Sequence, residues 1–229
     1  MRLCSYAMVH DYGFAPNPFW GYCTLATCTP NHQGIRLEEE DWIVGHSTPD
    51  AGGRIIHAMK VSAVLDLDDY FRDARFQKKK PSGGTWKAEC GDNIYFRDAS
   101  GEWKQLKATR FHANEKHFKK DTRYARVCAA EQFCYFGENA ITVPSRFKPL
   151  LQLGRRGCKV NHDAKLVAAF ILWLEQNCEL GIHGNPRDLG EWATTADAEN
   201  DPVSCSPPLR SAAPQLRRPT PKHRVECAR

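Results

Sequence analysis

The pattern of apolar and polar positions is most regular over residues 41–65. A short apolar, β-prone run at 42–44 is followed by a turn-rich polar segment that includes 49–53. A longer apolar run then covers 55–64. This pattern predicts two strands joined by a loop, with the second strand buried on at least one face. We expect this hairpin to form the rigid wall of a small β-barrel, with neighbouring residues supplying ligand-facing loops.

Two helices are predicted from apolar positions at helical spacing. The first covers 67–76, where Asp66 and the acidic residues after it supply a cap and first-turn charge. The second covers 162–177, and its apolar face must bury against another element, which we expect to be the barrel. The polar segment 110–126 is expected to be a long loop. The apolar face of the second helix consists of Leu166, Val167, Phe170, Ile171 and Leu174.

The remaining pattern predicts a mixed α+β organisation. We expect the barrel over residues 1–145, a helical extension packed on it over 146–193, and a tail over 194–229. Proline, serine, arginine and alanine dominate this tail, and a composition with few large apolar residues is typical of disorder. Further strands are predicted at 4–10, 24–28, 91–96, 102–106 and 127–136.

Composition and charge narrow the functional classes only a little. The chain has 229 residues and a formal net charge of +5, which allows a polyanionic partner without demanding one. It has no apolar run of about eighteen residues, so no membrane span is predicted. The N-terminal residues lack the pattern of a signal peptide, and a cytoplasmic location is therefore expected. The pattern leaves the oligomeric state open.

The ten cysteines are irregularly spaced and contain no CxxC motif. In a reducing compartment we expect most of them to be free thiols packed as small hydrophobic groups. Neither their spacing nor that of the histidines matches a specific metal signature. No metal site and no cofactor are therefore predicted.

Residues 11–22 are unusual because the segment is dense in glycine, proline and aromatic side chains. One interpretation is a loop that folds over the core as a plug, since large apolar residues are usually interior. The other is the aromatic wall of a binding pocket. The sequence leaves both open. The rings of this segment belong to Tyr12, Phe14, Phe19, Trp20 and Tyr22.

The chain is better equipped for binding than for catalysis. It has no glycine-rich phosphate loop, no HExxH and no GxSxG. Flat rings can stack on a nucleobase, worth about 1–3 kcal/mol per base. Polar residues at strand ends or turns could contact a base edge or cap their turns. The predicted ligand-binding residues are Asp11, Phe14, Asn17, Phe19, Thr24, Trp42, His46, Asp92 and Tyr95.

The lysine run Lys78, Lys79 and Lys80 has two interpretations. Such a run usually forms a solvated face. Beside the mouth of a pocket, it could instead steer phosphate. These three lysines are therefore the predicted phosphate-binding residues.

Long stretches spread over about residues 3–190 resemble the nucleotide modification associated domain proteins, in particular the second such family. The resemblance implies an association with modified or hypermodified DNA bases, in phage and bacterial modification or conflict systems. The implied partners are DNA or nucleotides with modified bases. The stretches that carry the resemblance are Gly13-Phe-Ala-Pro-Asn-Pro-Phe19, 22–28, Asp41-Trp-Ile-Val-Gly45, 70–81, 91–95, Asp121-Thr-Arg123, 133–137 and 181–188.

A second resemblance is at the level of the fold. Asp41-Trp-Ile-Val-Gly45, the later Gly91-Asp92 and the acidic helix at 67–76 are similar to PUA-like barrels, which include the EVE, ASCH and YTH domains. This resemblance implies a small PUA-like β-barrel with an aromatic pocket for a modified base. Together with the pattern above, the expected fold is α+β, a small PUA-like β-barrel with flanking helices and a disordered C-terminal tail. Fold-level analogy alone does not establish function. The sequence departs from the usual Gly-Asp-Trp in having Glu40 before Asp41.

Three functional hypotheses follow. The first is a domain that binds a modified nucleobase or nucleotide, either free or flipped out of a duplex, between rings such as Phe14 and Phe19. The second is an enzyme that acts on such a base or nucleotide. The third is a protein-interaction subunit of a modification complex. The acid–base candidates for the second hypothesis are Asp11, His46, Asp92 and His112.

Overall fold

The computed structural model describes residues 1–27, 29–151 and 157–189. The predicted tail at 194–229 lies outside these residues. The strands are β1 (Leu3–Met8), β2 (Cys23–Leu25), β3 (Trp42–Ser47), β4 (Ile55–Lys60), β5 (Ala63–Asp66), β6 (Tyr95–Arg97), β7 (Trp103–Gln105), β8 (Arg126–Ala130), β9 (Gln132–Tyr135), β10 (Cys158–Lys159) and β11 (Gly181–Ile182). The α-helices are α1 (Thr29–His32), α2 (Leu67–Arg72), α3 (Trp86–Glu89), α4 (Glu115–Asp121), α5 (Lys148–Leu151) and α6 (Ala164–Asn177). The fold is mixed α+β.

The largest sheet has six strands in the order β10-β1-β3-β4-β9-β11. Its centre is the predicted hairpin, in which β3 and β4 pair antiparallel with Val44 opposite Ala58. The register shifts between Gly45 and His46. A Cβ atom at Gly45 would meet the sulfur of Met8 and lie 2.5 Å from Nε2 of His57. Only glycine therefore lets β1 and β4 approach β3 so closely at this point.

The remaining strands form a three-stranded sheet, β2-β8-β5, and the two-stranded hairpin β6-β7. The apolar run at 55–64 divides because β4 ends at Lys60 and β5 starts at Ala63 in the smaller sheet. The predicted strand at 127–136 divides in the same way, with β8 in the smaller sheet and β9 in the larger one. Within the described residues none of the three sheets closes on itself, so the predicted barrel is not confirmed.

The two faces of the large sheet are both buried, and this explains its long apolar runs. One face packs against α6 through Val167, Phe170 and Leu174, as the helical pattern predicts. Asp163 caps this helix by accepting a hydrogen bond from the backbone N–H of Leu166 at 2.8 Å. The opposite face packs against the three-stranded sheet, where Tyr6 belongs to the same cluster as residues of β2 and β8. No helix in the described ranges has the length and apolarity to cross a membrane.

Two helical segments differ from the sequence-based expectation. The helix predicted at 67–76 is α2 followed by a 3₁₀ helix, Ala74–Lys79. The polar segment 110–126 is not one long loop, because it contains α4. Asn114 caps α4 by accepting a hydrogen bond from the backbone N–H of His117 at 2.9 Å.

Candidate functional site: a cavity at the end of β1

A cavity of about 760 Å³ opens beside the C-terminal end of β1. Its walls come from residues 6–10, from the first part of the aromatic segment at 12–15, and from 110–120. Thr27 and His32 complete the lining. Sites for small molecules and cofactors usually measure about 300–1,000 Å³, so this space suits a guest of that size. We call it the β1 cavity.

One wall of the β1 cavity is aromatic. Phe14 stacks on Phe111 with ring centroids 5.0 Å apart. Tyr12 leans against the same Phe111 ring at 5.6 Å and is 36% exposed. Aromatic rings with one face accessible can stack on a planar guest. Tyr12 is the most exposed ring of this wall, while Phe14 is 4% exposed and presents only a small part of its surface to the cavity.

The next part of the lining is adjacent to these rings, since the ring centroids of Phe14 and His112 are 5.0 Å apart, and it is built on one buried carboxylate, Asp121. Its oxygens accept hydrogen bonds from Nε2 of His32 at 2.5 Å and Nδ1 of His112 at 2.5 Å, and from the hydroxyl of Tyr95 at 2.6 Å. Burial raises the pKa of Asp121, but the bonds from His112, His32 and Tyr95 outweigh it, and the net shift is downward. The ionised carboxylate therefore fixes the orientation of two imidazoles that line the cavity.

His117 extends the imidazole wall. Its ring centroid lies 4.4 Å from that of His112, and its Nδ1 is shielded from solvent with no hydrogen-bond partner in the described residues. Burial and then the nearby His112 lower the pKa of His117. The described part of the chain has no group of three or more His, Cys, Asp or Glu residues placed to hold a metal ion.

The predicted ligand-binding residues separate into one that lines the cavity and others that lie in the interior. Phe14 lines it. Tyr95 lies behind the wall and orients Asp121 through its hydroxyl. Phe19 is 5% exposed and packs edge-on against Trp86, while Trp42 belongs to the core under α6. The aromatic segment therefore behaves in part as a pocket wall and in part as a plug.

The predicted polar residues Asn17, Thr24 and Asp92 form buried structural contacts. Asp92 accepts hydrogen bonds from the hydroxyls of Thr24 and Tyr70, both at 2.7 Å. Asn17 donates from Nδ2 to the carbonyl oxygen of Cys90 at 2.8 Å. Burial raises the pKa of Asp92. The three side chains use their polar atoms to join β2 and the aromatic segment to residues 90–92.

Asp11 and His46 are also buried and do not line the cavity, although the residues on both sides of Asp11 do. Asp11 accepts a hydrogen bond from the hydroxyl of Tyr135 at 2.6 Å and one from the backbone N–H of Arg187 at 3.3 Å. Burial raises the pKa of Asp11. His46 donates from Nδ1 to the carbonyl oxygen of Ser47 at 2.8 Å, and burial lowers its pKa. Of the predicted acid–base residues, His112 is the one that lines the cavity.

The three consecutive lysines occupy three different environments. Lys79 is 1% exposed, and its ammonium donates to the backbone oxygen and Oδ1 of Asn17 and to the backbone oxygen of Tyr22, at 3.0, 2.8 and 2.9 Å. Burial lowers the pKa of Lys79 to about 8. Lys78 is exposed, and Lys80 lies over the ring of Phe71 at 3.6 Å. The three lysines therefore do not form one continuous surface patch. The buried ammonium of Lys79 instead holds the aromatic segment at 11–22 through its hydrogen bonds to Asn17 and Tyr22.

Sequence reasoning did not identify His32, Phe111, His117 or Asp121 as site residues. His32 and Asp121 are 89 positions apart, and only the packing of α1 against α4 brings them together. A local signal for part of the site did exist. Asn114 is a favourable N-cap, and a helix starting there places His117 and Asp121 on one face at positions i and i+4.

The mixed sheets and the aromatic and imidazole walls define the protein as an α+β domain with a small-molecule-sized cavity. The comparison with protein families identifies it further. The family model described as Nucleotide modification associated domain 2 matches residues 1–194, and the chain belongs to this family. The family resemblance seen in the sequence is thus confirmed. No curated protein and no solved structure matches the chain, and the PUA-like resemblance is not confirmed.

Proposed function

We propose that this domain binds a modified nucleobase or nucleotide of DNA in the β1 cavity, as part of a phage or bacterial DNA modification or conflict system. Membership of a family associated with nucleotide modification supports a role in such systems. The observation that carries the proposal is that one cavity combines two adjacent surfaces, the stacked rings of Phe14 and Phe111 and the imidazoles held by Asp121.

Each wall matches one part of a nucleotide. The rings offer a stacking surface for a base, and stacking tolerates a substituent on the base because it uses only the flat face. The fixed imidazoles offer polar atoms to the base edge or to its substituent. The proposed binding mode parallels the aromatic pocket of the PUA-like domains. An accessible cavity also favours ligand binding over a purely structural role as a protein-interaction subunit.

Calorimetry with a panel of deoxynucleotides tests this function. The panel contains pyrimidine nucleotides with hydroxymethyl, aminomethyl or glucosyl substituents and their plain counterparts. We expect at least one modified nucleotide to bind more tightly than its plain counterpart. Equal affinities across the whole panel would contradict the proposal.

A matched pair of variants locates the site. Phe14 and Phe19 lie in the same segment and are 4% and 5% exposed, but only the first of these two lines the cavity. We expect Phe14→Leu to weaken binding by about 1–3 kcal/mol, or roughly five- to 150-fold in Kd. Phe19→Leu should leave Kd unchanged. Equal losses from both variants would place the binding site elsewhere.

A second candidate function, catalysis on the bound base or nucleotide, rests on His112. This histidine lines the cavity, and its Nδ1 is bonded to the buried carboxylate of Asp121. A carboxylate that orients an imidazole is a common arrangement for a general base or acid. Mass spectrometry of modified DNA incubated with the wild type and with His112→Gln decides between binding alone and turnover. Turnover that is lost in the variant supports the enzyme.

A further inference from the structure

We infer that the guest of the β1 cavity carries a phosphate monoester, and that this group lies against Lys120 and His117. The inference rests on the proposed function, because it assumes that the guest is a nucleotide. It adds the chemical class of the guest and the residues that recognise its charge.

The charges of the cavity lining point to an anionic guest. Within the described residues the lining contains two side chains charged at neutral pH, Arg110 and Lys120, both positive, and four histidines that add positive charge only when protonated, but no Asp or Glu. A concave surface lined by one sign of charge concentrates ligands of the opposite sign. The lining therefore selects against a cationic guest and favours an anionic one.

Most of these basic side chains already have an acidic partner outside the lining. Arg110 forms an ion pair with Glu89 at 3.1 Å. His10 lies 3.8 Å from the carboxylate of Asp188. His32 and His112 share the carboxylate of Asp121, as described above. These carboxylates offset the positive charge that the four basic side chains carry when they are protonated.

Two groups of α4 remain without such a partner. The ammonium of Lys120 forms no hydrogen bond or ion pair with any described residue, whereas its neighbour Lys119 pairs with Glu115 at 2.7 Å. Nε2 of His117 is accessible to solvent and likewise has no hydrogen-bond partner in the described part of the chain, whereas Nδ1 of the same ring is buried. His117 and Lys120 are three positions apart on a helix, so they lie on the same face. Both line the cavity.

A phosphate monoester satisfies both groups. It supplies several strong acceptor oxygens and about two negative charges at neutral pH. One oxygen can accept from the ammonium while another accepts from the imidazole. The base of the same nucleotide can then stack on the aromatic wall. A carboxylate substituent on the base offers the same chemistry, so the test separates these two sources of charge.

Calorimetry compares a modified deoxynucleoside, its monophosphate, and a short single strand that carries the same base internally with no terminal phosphate. We expect the monophosphate to bind at least tenfold more tightly than the nucleoside and the strand. A nucleoside with a carboxylate on its base serves as a fourth ligand. If this nucleoside equals the monophosphate, the anion site is not specific for phosphate and the inference is overturned.

Two neighbouring exposed lysines provide the matched variants. Lys120→Gln should remove most of the advantage of the monophosphate over the nucleoside, and Lys119→Gln should preserve it. Equal losses from both variants would mean that only the general positive charge of α4 matters, which would overturn the inference.

The two proposals fail in different ways. If the nucleoside binds as tightly as its monophosphate but the modified base is still preferred, the inference falls and the proposed function stands. If monophosphates bind through Lys120 regardless of base modification, the proposed function falls and the phosphate site stands. Absence of binding by every ligand contradicts both.

Discussion

Replacing Lys79 with methionine tests whether this lysine is a structural anchor, as its contacts indicate, or a phosphate ligand, as the lysine run suggests. Methionine keeps much of the volume of the side chain, so little is lost in packing. The substitution removes a buried ammonium that donates to two acceptors of Asn17 and one of Tyr22. It also removes the positive charge that interacts with buried Asp92. Both losses destabilise the native state.

The expected size follows from these contacts. Leaving a buried polar group without its partner costs about 1–3 kcal/mol, and breaking a buried charged interaction costs about 3–5 kcal/mol. The two effects overlap, so we expect Lys79→Met to lower the free energy of unfolding by about 3–5 kcal/mol. Typical domains have only about 5–15 kcal/mol in total. Lys78→Met is the matched control because Lys78 is exposed, and its effect should stay within about 0.5 kcal/mol.

Urea unfolding followed by tryptophan fluorescence measures both variants. With a urea dependence of about 2 kcal/mol per molar, Lys79→Met should lower the midpoint concentration by about 2 M. If Lys79→Met and Lys78→Met unfold within 1 kcal/mol of each other, a margin of roughly the value of one hydrogen bond, the anchoring role is refuted. A phosphate ligand would instead show an unchanged midpoint and weaker nucleotide binding.

Two further predictions concern the large sheet. Burial lowers the pKa of His57 from 6.5 to about 3. Between these two pH values the histidine binds a proton in the unfolded chain but stays neutral in the native chain. The free energy of unfolding should therefore fall as the pH drops from 6.5 towards 3. This contribution to the loss of unfolding free energy should reach about 2 kcal/mol at pH 5, measured by urea unfolding, and should be absent in His57→Gln. If the free energy of unfolding of His57→Gln depends on pH as steeply as that of the wild type, the prediction is contradicted. Gly45→Ala should cost about 1–3 kcal/mol because the added methyl meets Met8 and His57, while Gly83→Ala, which faces open space, should cost much less. Thermal unfolding of the two variants checks this, and equal melting temperatures would show that β3 can shift freely.

Local periodicity was sufficient to predict the elements whose pattern is unbroken. The β3–β4 hairpin and α6 lie where the apolar pattern places them, with Asp163 as the cap. The division of the strands among three sheets, in place of the predicted barrel, does not follow from local periodicity. Whether a strand continues or changes sheet depends on Val61, Ser62 and Glu131, which lie between strands assigned to different sheets. Since β4, β8 and β9 are largely buried and β5 is half-buried, the apolar pattern continues across each change of sheet.

The candidate site was less accessible to sequence reasoning. Segment 11–22 could be identified as unusual, but its composition does not say which ring faces a cavity. Phe14 does so and Phe19 does not, because Phe19 packs against Trp86 from a distant part of the chain. The imidazole wall depends on a contact between α1 and α4 that no local pattern contains. A helix such as α4, which lacks an apolar face, leaves no helical periodicity of apolar residues in the sequence.

The central claim is that a nucleotide enters the β1 cavity, and the side-chain NMR signals of the histidines test it most directly. His32, His112 and His117 line the cavity, while His46 and His57 are buried and outside its lining. On titration with a modified deoxynucleoside monophosphate, we predict that the ring signals of the first three shift together and saturate with the calorimetric Kd, while those of the other two stay in place. Saturable binding that leaves the signals of His32, His112 and His117 unchanged would contradict the claim.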